Sequence, residues 1–284
     1  MISIIITAFR EANTIGRAMA AFTSQRLPAY ELLVVAPDEE TAAVVRQYAN
    51  KRIRYIKDQG KGKPTALNLT LRQAKGDILI LSDGDVTIGK GAVAALLKPF
   101  TDSRVGAVSS RPISINDKGT MLGYWSHLLT DAGAHWRRMR GNFVECSGYL
   151  YAIRNVIREV PEDALADDAY ISHLIAEQGY TIAYAPAAKV YVKYPSTFSD
   201  WLLQKRRSAG GTLQIRRRFG KGMRGFRKES RGIFSALSYA RNVRECGYTI
   251  MLIFARICLW LLIQHDQRIA RKGFSIWKRV ESTK

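Results

Sequence analysis

Short apolar runs alternate with amphipathic segments over the first 195 residues. The apolar runs predict strands at residues 2–7, 32–36, 53–56, 77–81 and 105–109, a strand or turn at 145–153, and short strands at 181–185 and 189–193. The segments between them predict helices at residues 13–25, 39–49, 64–75, 120–138 and 168–178. Strands that alternate with helices at this spacing are typical of βαβ units and predict an α/β fold with a parallel sheet.

The pattern changes in the C-terminal third of the chain. Residues 198–218 predict a basic helix, residues 219–231 predict a basic glycine-containing loop, and residues 232–263 are apolar again. Within the apolar stretch, Tyr248–Ile263 would span ~24 Å as a helix, less than the ~30 Å hydrocarbon core of a bilayer. We therefore expect helices that lie in the membrane interface, and the alternative is a helix packed on the N-terminal domain.

Charge is distributed unevenly along the chain. The 284 residues hold 44 Lys and Arg against 24 Asp and Glu, a net charge of +20. Residues 201–284 carry 20 basic and 4 acidic side chains, which is +16 of that total. A nearly neutral front and a basic back predict a catalytic domain followed by a segment that meets an anionic surface, either nucleic acid or an acidic membrane leaflet.

Cysteine and histidine usage gives neither a disulfide framework nor a metal-binding pattern. Three cysteines, an odd number without metal-ligand spacing, predict a reducing compartment. The apolar run at residues 2–7 is too short for a signal peptide and has no basic segment before it, so none is expected. We expect the scattered histidines to be structural or surface residues: His127, His135, His173 and His265.

The tetrad Ser82-Asp83-Gly84-Asp85 is the most informative motif. It directly follows the apolar run at residues 77–81, so it is expected at the carboxyl edge of the sheet, where open α/β sheets bind ligands. Two carboxylates one residue apart can hold Mg²⁺ or Mn²⁺, which take oxygen ligands and bridge to substrate phosphates. The alternative is a solvated Asp-Gly turn, because short motifs carry a large false-positive risk.

Four further motifs stand in a fixed order around this tetrad: Thr7-Ala8-Phe9-Arg10-Glu11, Gly60-Lys61-Gly62-Lys63 before Ala66-Leu67-Asn68, Ala166-Asp167-Asp168, and Gln204-Lys205-Arg206-Arg207. The ordered set resembles the GT-A glycosyltransferases of family 2 over about residues 2–215. It is similar to the membrane-associated subset that includes polyprenyl-phosphate sugar synthases, ceramide glucosyltransferases and processive polysaccharide synthases. The resemblance implies a Rossmann-like, mostly parallel sheet flanked by helices, followed here by C-terminal basic interfacial helices. It also implies inverting transfer of a hexose or N-acetylhexosamine from a nucleotide diphosphate sugar.

The resemblance assigns the acidic residues to metal binding and base catalysis. Asp85 would bind Mg²⁺ or Mn²⁺ directly, and Asp83 would face the ribose or sugar and help hold the metal. Asp168, the second residue of the acidic pair with Asp167, would take the proton of the acceptor hydroxyl. A helix N-terminus keeps a carboxylate ionised, as a base requires. Helix capping is the alternative role of this pair.

Nucleotide contacts are implied for the loops that follow the first three strands. The segment from Thr7 to Glu11 would contact the nucleotide, with backbone groups near Thr7 and Ala8 meeting the base and Glu11 matching the family's usual acid. Asp38, after the second strand, is also expected at the donor site. Many relatives carry Asp-Asp-Gly-Ser where this chain has Ala36-Pro37-Asp38-Glu39, which leaves the base open between UDP and GDP, with UDP favoured. Phosphate or base contacts are implied for the pair Lys61 and Lys63, whose alternative is a lysine-rich surface turn.

The last motif departs from the signature that it resembles. Gln204 and Arg207 would approach the diphosphate, but Ser208 stands where the signature has tryptophan. The missing tryptophan weakens the case for a processive polymer synthase. Gly148 would let the sugar pass close to the strand that faces the acceptor, and a plain buried strand is the alternative.

Together these expectations give a catalytic domain at residues 1–195, the Gln-x-x-Arg helix and basic loop at 196–231, and membrane-interface helices at 232–284. The expected partners are a nucleotide-sugar donor, a lipid acceptor such as a polyprenyl phosphate or glycolipid, and an anionic membrane surface at the cytoplasmic face. Extension of a polysaccharide or lipid-linked glycan is an alternative, as is a soluble transferase. A nucleic-acid-binding protein is a remote alternative supported only by the basic tail, so no nucleic acid partner is expected.

Overall fold

The computed structural model describes residues 1–139, 141, 143–220, 236–268 and 281–283. The chain forms two compact units. The sheet unit contains residues 1–113 and 137–192, and the helical unit contains residues 114–136 and 193–284. Residues 114–136, which the sequence placed in the N-terminal domain, therefore pack with the C-terminal part. The functional division at residues 195 and 231 stays a prediction.

One mixed sheet of eight strands forms the sheet unit. The strands are β1 Ile2–Thr7, β2 Tyr30–Ala36, β3 Ile53–Lys57, β4 Ile78–Asp83, β5 Thr87–Ile88, β6 Val105–Ser114, β7 Leu150–Arg154 and β8 Thr181–Val192. Their order is β3-β2-β1-β4-β7-β6-β8-β5. Strands β1 to β4 pair in parallel, as predicted, whereas β7 runs antiparallel to β4 and β6.

Eight helices accompany the strands within the described residues. They are α1 Ile15–Thr23, α2 Glu39–Gln47, α3 Lys63–Leu71, α4 Ala92–Leu97, α5 Met121–Arg138, α6 Asp167–Glu177, α7 Phe198–Phe219 and α8 Val243–Arg268. A short 3-10 helix, Lys98–Thr101, follows α4. The helices predicted at 13–25, 39–49, 64–75, 120–138 and 168–178 are confirmed within a few residues at each end.

Two predictions about the strands need correction, and two short elements were not predicted. The two short strands predicted at 181–185 and 189–193 are one strand, β8, which continues through Pro186. Strand β5 pairs with Val190 and Tyr191 of β8, so Pro186 lies outside the β5 pairing. Of the strand or turn predicted at 145–153, only the part from Leu150 onward is a strand. Strand β5 and helix α4 were not predicted, since two and six residues are too short for a periodic signal.

The register of β1 and β4 shows which side chains lie at the carboxyl edge of the sheet. Ile5, Leu81 and Tyr151 belong to one buried cluster that includes residues of α3 and α6, so they share one face. Because side chains alternate along a strand, Thr7 and Asp83 lie on this same face, two residues further along. They are also register partners at the carboxyl ends of β1 and β4. Asp83 is thus placed on the face covered by α3 and α6.

Asn68 ties α3 to the loop that precedes α6. Its side-chain amide donates to the Val160 carbonyl at 2.8 Å and its carbonyl accepts from the Val160 N–H at 2.8 Å. The side chain is buried, at 5% exposure. The motif Ala66-Leu67-Asn68 therefore has a structural role, because it positions the segment that leads to the acidic pair.

Replacing Asn68 with alanine should lower the free energy of unfolding by about 2–3 kcal/mol, because two buried backbone groups lose their partners. Urea unfolding followed by circular dichroism measures this loss. Asn50→Ala is the matched control, since Asn50 makes its hydrogen bonds in an exposed turn, and should cost less than about 1 kcal/mol. Equal losses in the free energy of unfolding for the two variants would contradict the role of Asn68 in holding α3 to Val160.

Helices α5, α7 and α8 pack together in the helical unit. The Trp125 indole N–H donates to the Tyr248 carbonyl at 2.7 Å, and the hydroxyls of Tyr124 and Thr249 lie 2.7 Å apart. Further along α8, Leu259 and Ile263 are buried against Ala209 of α7. One face of α8 is therefore covered along most of its length.

The opposite face of α8 is apolar and exposed. Ile250, Phe254, Ile257 and Leu261 recur every three or four residues and are 40–64% exposed. We call these four residues the α8 stripe. The segment Val243–His265 is long and apolar enough to cross a membrane, and 28% of its apolar window is buried. The length argument from Tyr248–Ile263 is therefore wrong, because the helix begins earlier. Most of the basic loop predicted at 219–231 lies outside the described residues.

Candidate active site

A close approach of two loops forms the edge of the site. The Gly84 N–H donates to the Thr7 carbonyl at 2.9 Å, which continues the pairing of β1 and β4 beyond their ends. A Cβ atom on Gly84 would lie 2.9 Å from the Ala8 Cβ, closer than side chains pack. The glycine between Asp83 and Asp85 is therefore required for the exit of β1 to lie against the acidic turn.

Lys63 joins two carboxylates in the site. Its Nζ lies 2.7 Å from Asp83 Oδ1 and 3.3 Å from Asp167 Oδ2. Burial alone would lower the pKa of Lys63, but the negative charges of Asp167, Asp83 and Asp168 outweigh burial and raise it. Lys63 is therefore protonated, and the acidic turn and the acidic pair belong to one electrostatic site.

The acidic pair lies in the first turn of α6. The N-cap of this helix is Ala166, which makes no side-chain capping bond, and both Asp167 and Asp168 follow it. Neither aspartate occupies the N-cap position of α6, so neither has the N-cap role that was the alternative. Asp167 is buried at 4% exposure. Carboxylates in this position are stabilised as anions by the helix dipole.

Helix α6 is held against the segment before β7. The Ser172 hydroxyl accepts from the Cys146 N–H at 2.9 Å and donates to the Asp168 carbonyl at 2.7 Å. One turn further, His173 Nε2 lies 3.3 Å from Glu145 Oε1, and both side chains are buried. Burial raises the pKa of the Cys146 thiol to about 12, so this cysteine is a structural residue. The predicted structural role of His173 fits these contacts.

The loop after β1 is held to the loop after β2 by Asp38. Asp38 Oδ1 accepts from the Thr41 N–H at 2.9 Å as the N-cap of α2, and Oδ2 accepts from the Arg10 N–H at 2.7 Å. Arg10 has a left-handed backbone, with φ of 55°, which costs energy for a non-glycine residue. The Glu11 N–H donates to the Thr41 hydroxyl at 2.8 Å. Asp38 therefore holds the loop that contains Arg10 in place, and its role at the donor site stays a prediction.

The family model described as glycosyl transferase family 2 matches residues 3–159. The chain belongs to this family. A probable glycosyltransferase, YdaM of Bacillus subtilis (strain 168), is 27% identical over 236 residues, which is 75% of this chain and 56% of the relative. A poly-beta-1,6-N-acetyl-D-glucosamine synthase of Staphylococcus epidermidis is 22% identical over 227 residues, 75% of this chain and 55% of the relative. The chain thus spans about half the length of the curated relatives that it matches.

Solved structures agree with this family at the level of fold. The crystal structure of Staphylococcus aureus TarS residues 1–349 matches with a TM-score of 0.50 at 16% identity, and covers 99% of this chain and 76% of that chain. A crystal structure of a mycobacterial protein matches with a TM-score of 0.52 at 17% identity, and covers 75% of this chain and 74% of that chain. The predicted GT-A fold class is confirmed, with helices flanking a sheet in which β1 to β4 are parallel, and with an apolar C-terminal helix.

The predicted site residues of this family 2 glycosyltransferase fall into three groups. Thr7, Asp83, Lys63, Asp167 and Asp168 lie around one edge of the sheet unit, where Asp85, Ala8 and Glu11 follow their strands. Lys61 is exposed in the loop before α3. Gln204 and Arg207 lie on α7 in the helical unit.

Sequence reasoning missed one polar group at this edge. The Tyr151 hydroxyl on β7 is buried and makes no hydrogen bond within the described part of the chain. Burial, together with the charges of Asp167 and Asp168, raises its pKa, so it stays a neutral donor. The sequence shows only that Tyr151 belongs to an apolar segment. It does not indicate that β7 pairs with β4, which brings Tyr151 to this edge.

Gly148 lies directly against the acidic pair. A Cβ atom there would lie 3.0 Å from Asp168 Oδ2. The variant Gly148→Ala should therefore displace this carboxylate by a few tenths of an ångström. Because the resemblance makes Asp168 the expected base, we expect kcat to fall by about tenfold to a hundredfold. Steady-state kinetics measures the loss, and Gly141→Ala is the control, because a Cβ there meets nothing within 4 Å. Unchanged turnover in Gly148→Ala would contradict the close packing.

Proposed function

We propose that this protein is an inverting glycosyltransferase that takes a hexose or N-acetylhexosamine from a nucleotide diphosphate sugar, with a UDP-sugar favoured. One observation carries the proposal: Lys63 links Asp83 of the acidic turn to Asp167 of the acidic pair. Carboxylates on the donor side and on the acceptor side are thereby held in one site. That arrangement suits a displacement in which one group faces the leaving diphosphate and another faces the incoming hydroxyl.

Asp168 is the proposed general base. Inversion requires a base on the ring face opposite the leaving group, and that base receives the proton of the acceptor hydroxyl as the hydroxyl oxygen attacks. Asp168 lies in the first turn of α6, where the helix dipole favours a negative charge, and the Ser172 hydroxyl donates to the Asp168 backbone carbonyl from the next turn. For an acceptor that is already a phosphate, little deprotonation is needed, and Asp168 orients the acceptor.

A divalent cation, Mg²⁺ or Mn²⁺, is the proposed cofactor, and Asp83 and Asp85 would hold it. Asp83 and Asp85 flank Gly84 at the carboxyl end of β4, and their carboxylate oxygens are ligands that Mg²⁺ and Mn²⁺ take. The described residues contain no group of three or more His, Cys, Asp or Glu side chains placed to hold a metal, so the diphosphate and water would supply the other ligands. When bound, the metal offsets the charge that develops on the leaving diphosphate.

The proposed acceptor is a membrane lipid such as a polyprenyl phosphate or a glycolipid. The α8 stripe and the net charge of +16 on residues 201–284 support a site beside an anionic membrane surface. Extension of a polysaccharide or a lipid-linked glycan is the second candidate, favoured by the similarity to poly-beta-1,6-N-acetyl-D-glucosamine synthases.

We place α8 in the membrane interface at the cytoplasmic face, with the stripe towards the acyl chains. One face of α8 packs on α7, whose last turn carries Arg216, Arg217 and Arg218. If α8 crossed the bilayer, α7 beside it would bring these arginines with it, at ~2.5–3.5 kcal/mol for each one near the bilayer centre. A helix half-buried among headgroups avoids that cost.

A nucleotide-sugar panel tests the activity. The full chain is incubated with UDP- and GDP-sugars, Mn²⁺ and membrane lipid extract, and release of UDP or GDP is measured. We expect UDP release that depends on both the lipid and the metal. Release with a water-soluble glycan and without lipid would favour glycan extension, and no release from any donor would contradict the proposed transfer.

Flotation on vesicles tests the membrane surface. The full chain should float with vesicles that contain phosphatidylglycerol, and the double variant Phe254→Glu/Leu261→Glu should float less. A double variant of exposed polar residues in the sheet unit, Glu40→Gln/Lys98→Gln, is the control and should float like wild type. Binding of a nucleic acid in a gel shift, with no flotation, would instead support a nucleic-acid-binding tail.

A further inference from the structure

A lysine ammonium lies between the carboxylates of the site. The Lys63 side chain is only 13% exposed, and its two partners come from different elements, Asp83 from the end of β4 and Asp167 from the start of α6. Lys63 itself is the first residue of α3, directly after the segment Gly60-Lys61-Gly62. The positive charge is therefore built into the site by three separate segments of the chain, before any donor or metal binds.

The contact with Asp167 is held by charge rather than by a directed hydrogen bond. Asp167 Oδ2 is buried and makes no hydrogen bond in the described part of the chain, although the ammonium lies 3.3 Å away. Asp83 Oδ1, in contrast, receives the ammonium at 2.7 Å. The ammonium of Lys63 therefore pairs with both carboxylates and lies closer to Asp83. A second cation brought to Asp83 would meet a full positive charge at short range in a partly buried site, which is unfavourable.

We propose that Lys63 is an internal counter-ion that excludes free divalent metal from the empty site and admits it only together with the donor. The inference rests on the proposed nucleotide-sugar donor and metal. A divalent cation that binds Asp83 alone must displace the ammonium or lie beside it. A donor diphosphate offers the ammonium other negatively charged oxygens, so Lys63 can turn to the diphosphate and leave Asp83 to the metal.

A lysine with only a structural role would behave differently. Removing one partner of a buried ion network destabilises the fold, because charges are left unpaired. Loss of a purely structural ion pair would not make another cation bind Asp83 more tightly in Lys63→Met than in Lys63→Arg, which keeps the positive charge. The affinity for metal in the absence of nucleotide therefore separates a counter-ion from a structural ion pair.

The experiment measures Mn²⁺ binding to the purified full chain by electron paramagnetic resonance, without any nucleotide. Wild type should bind weakly, and Lys63→Met should bind at least about tenfold more tightly, because the competing charge is gone. Lys63→Arg keeps the charge and should bind as weakly as wild type. When UDP is added, binding to wild type should tighten markedly, whereas Lys63→Met should gain much less.

Lys98→Met is the matched control, since it removes one exposed positive charge from the 3-10 helix of the same unit and should bind Mn²⁺ like wild type. Thermal unfolding shows which variants are folded, and Lys63→Gln replaces Lys63→Met if the latter is not. A folded neutral variant that binds free Mn²⁺ no more tightly than wild type would overturn the proposal. The measurement needs no sugar transfer, so it is independent of the donor panel, where a failure would overturn the proposed function instead.

Discussion

The variant Asp168→Asn should lower turnover by about 10³-fold with a hydroxyl acceptor, because general bases contribute about 10²- to 10⁴-fold to such reactions. Asparagine keeps the size of the side chain and can still orient an acceptor, but it cannot take a proton. Donor binding should change little, because the proposed donor side of the site is formed by Asp83 and Lys63, and Lys63 keeps its ion pairs with Asp83 and Asp167 in this variant. Steady-state kinetics at saturating donor measures the loss in kcat.

Glu177→Gln is the control for this substitution. Glu177 is an exposed carboxylate in the last turn of the same helix, α6, and its replacement should leave kcat unchanged. The size of the loss in Asp168→Asn also reports the acceptor, because a phosphate acceptor needs little deprotonation and would show a loss closer to tenfold. Wild-type turnover in Asp168→Asn with a hydroxyl acceptor would remove the base assignment.

Local sequence patterns predicted the parts of this molecule that depend on local physics. The apolar runs gave β1 to β4, because buried parallel strands are continuously apolar. The position of Asp83 just after the apolar run at residues 77–81 predicted its place at the carboxyl edge, and the structure makes it the last residue of β4, paired with Thr7. The order of motifs gave the family, which the match over residues 3–159 confirms.

Contacts between distant segments could not be predicted in the same way. Asn68 and Val160 are 92 residues apart, and periodicity carries no information about such a pair. The same holds for Lys63 and Asp167, which meet only because α3 and α6 cover one face of the sheet. The assignment of α5 to the helical unit follows from tertiary packing of Trp125 against α8, and its sequence pattern indicates only an amphipathic helix.

Metal dependence is the second large expected effect. Asp85→Ala should lower turnover by about 10²- to 10³-fold, because the charge of the leaving diphosphate loses its counter-charge. It should also raise the Mn²⁺ concentration needed for half-maximal rate. Titration of Mn²⁺ at saturating donor measures both quantities. Asp102→Ala is the control, because Asp102 lies in the same unit but pairs with Arg104 at 2.9 Å, and should behave like wild type.

The Asp85→Ala variant also separates the role of the divalent metal from the role of the Lys63 ammonium. With Asp85 removed, Lys63 is still held by Asp83 and Asp167, so free Mn²⁺ should bind no better than in wild type. In Lys63→Met the opposite is expected, because a competing positive charge is lost while both metal-binding carboxylates stay. If Asp85→Ala turns over like wild type at every Mn²⁺ concentration, the leaving diphosphate is neutralised without this carboxylate. Lys63 would then be the principal cation that faces the diphosphate.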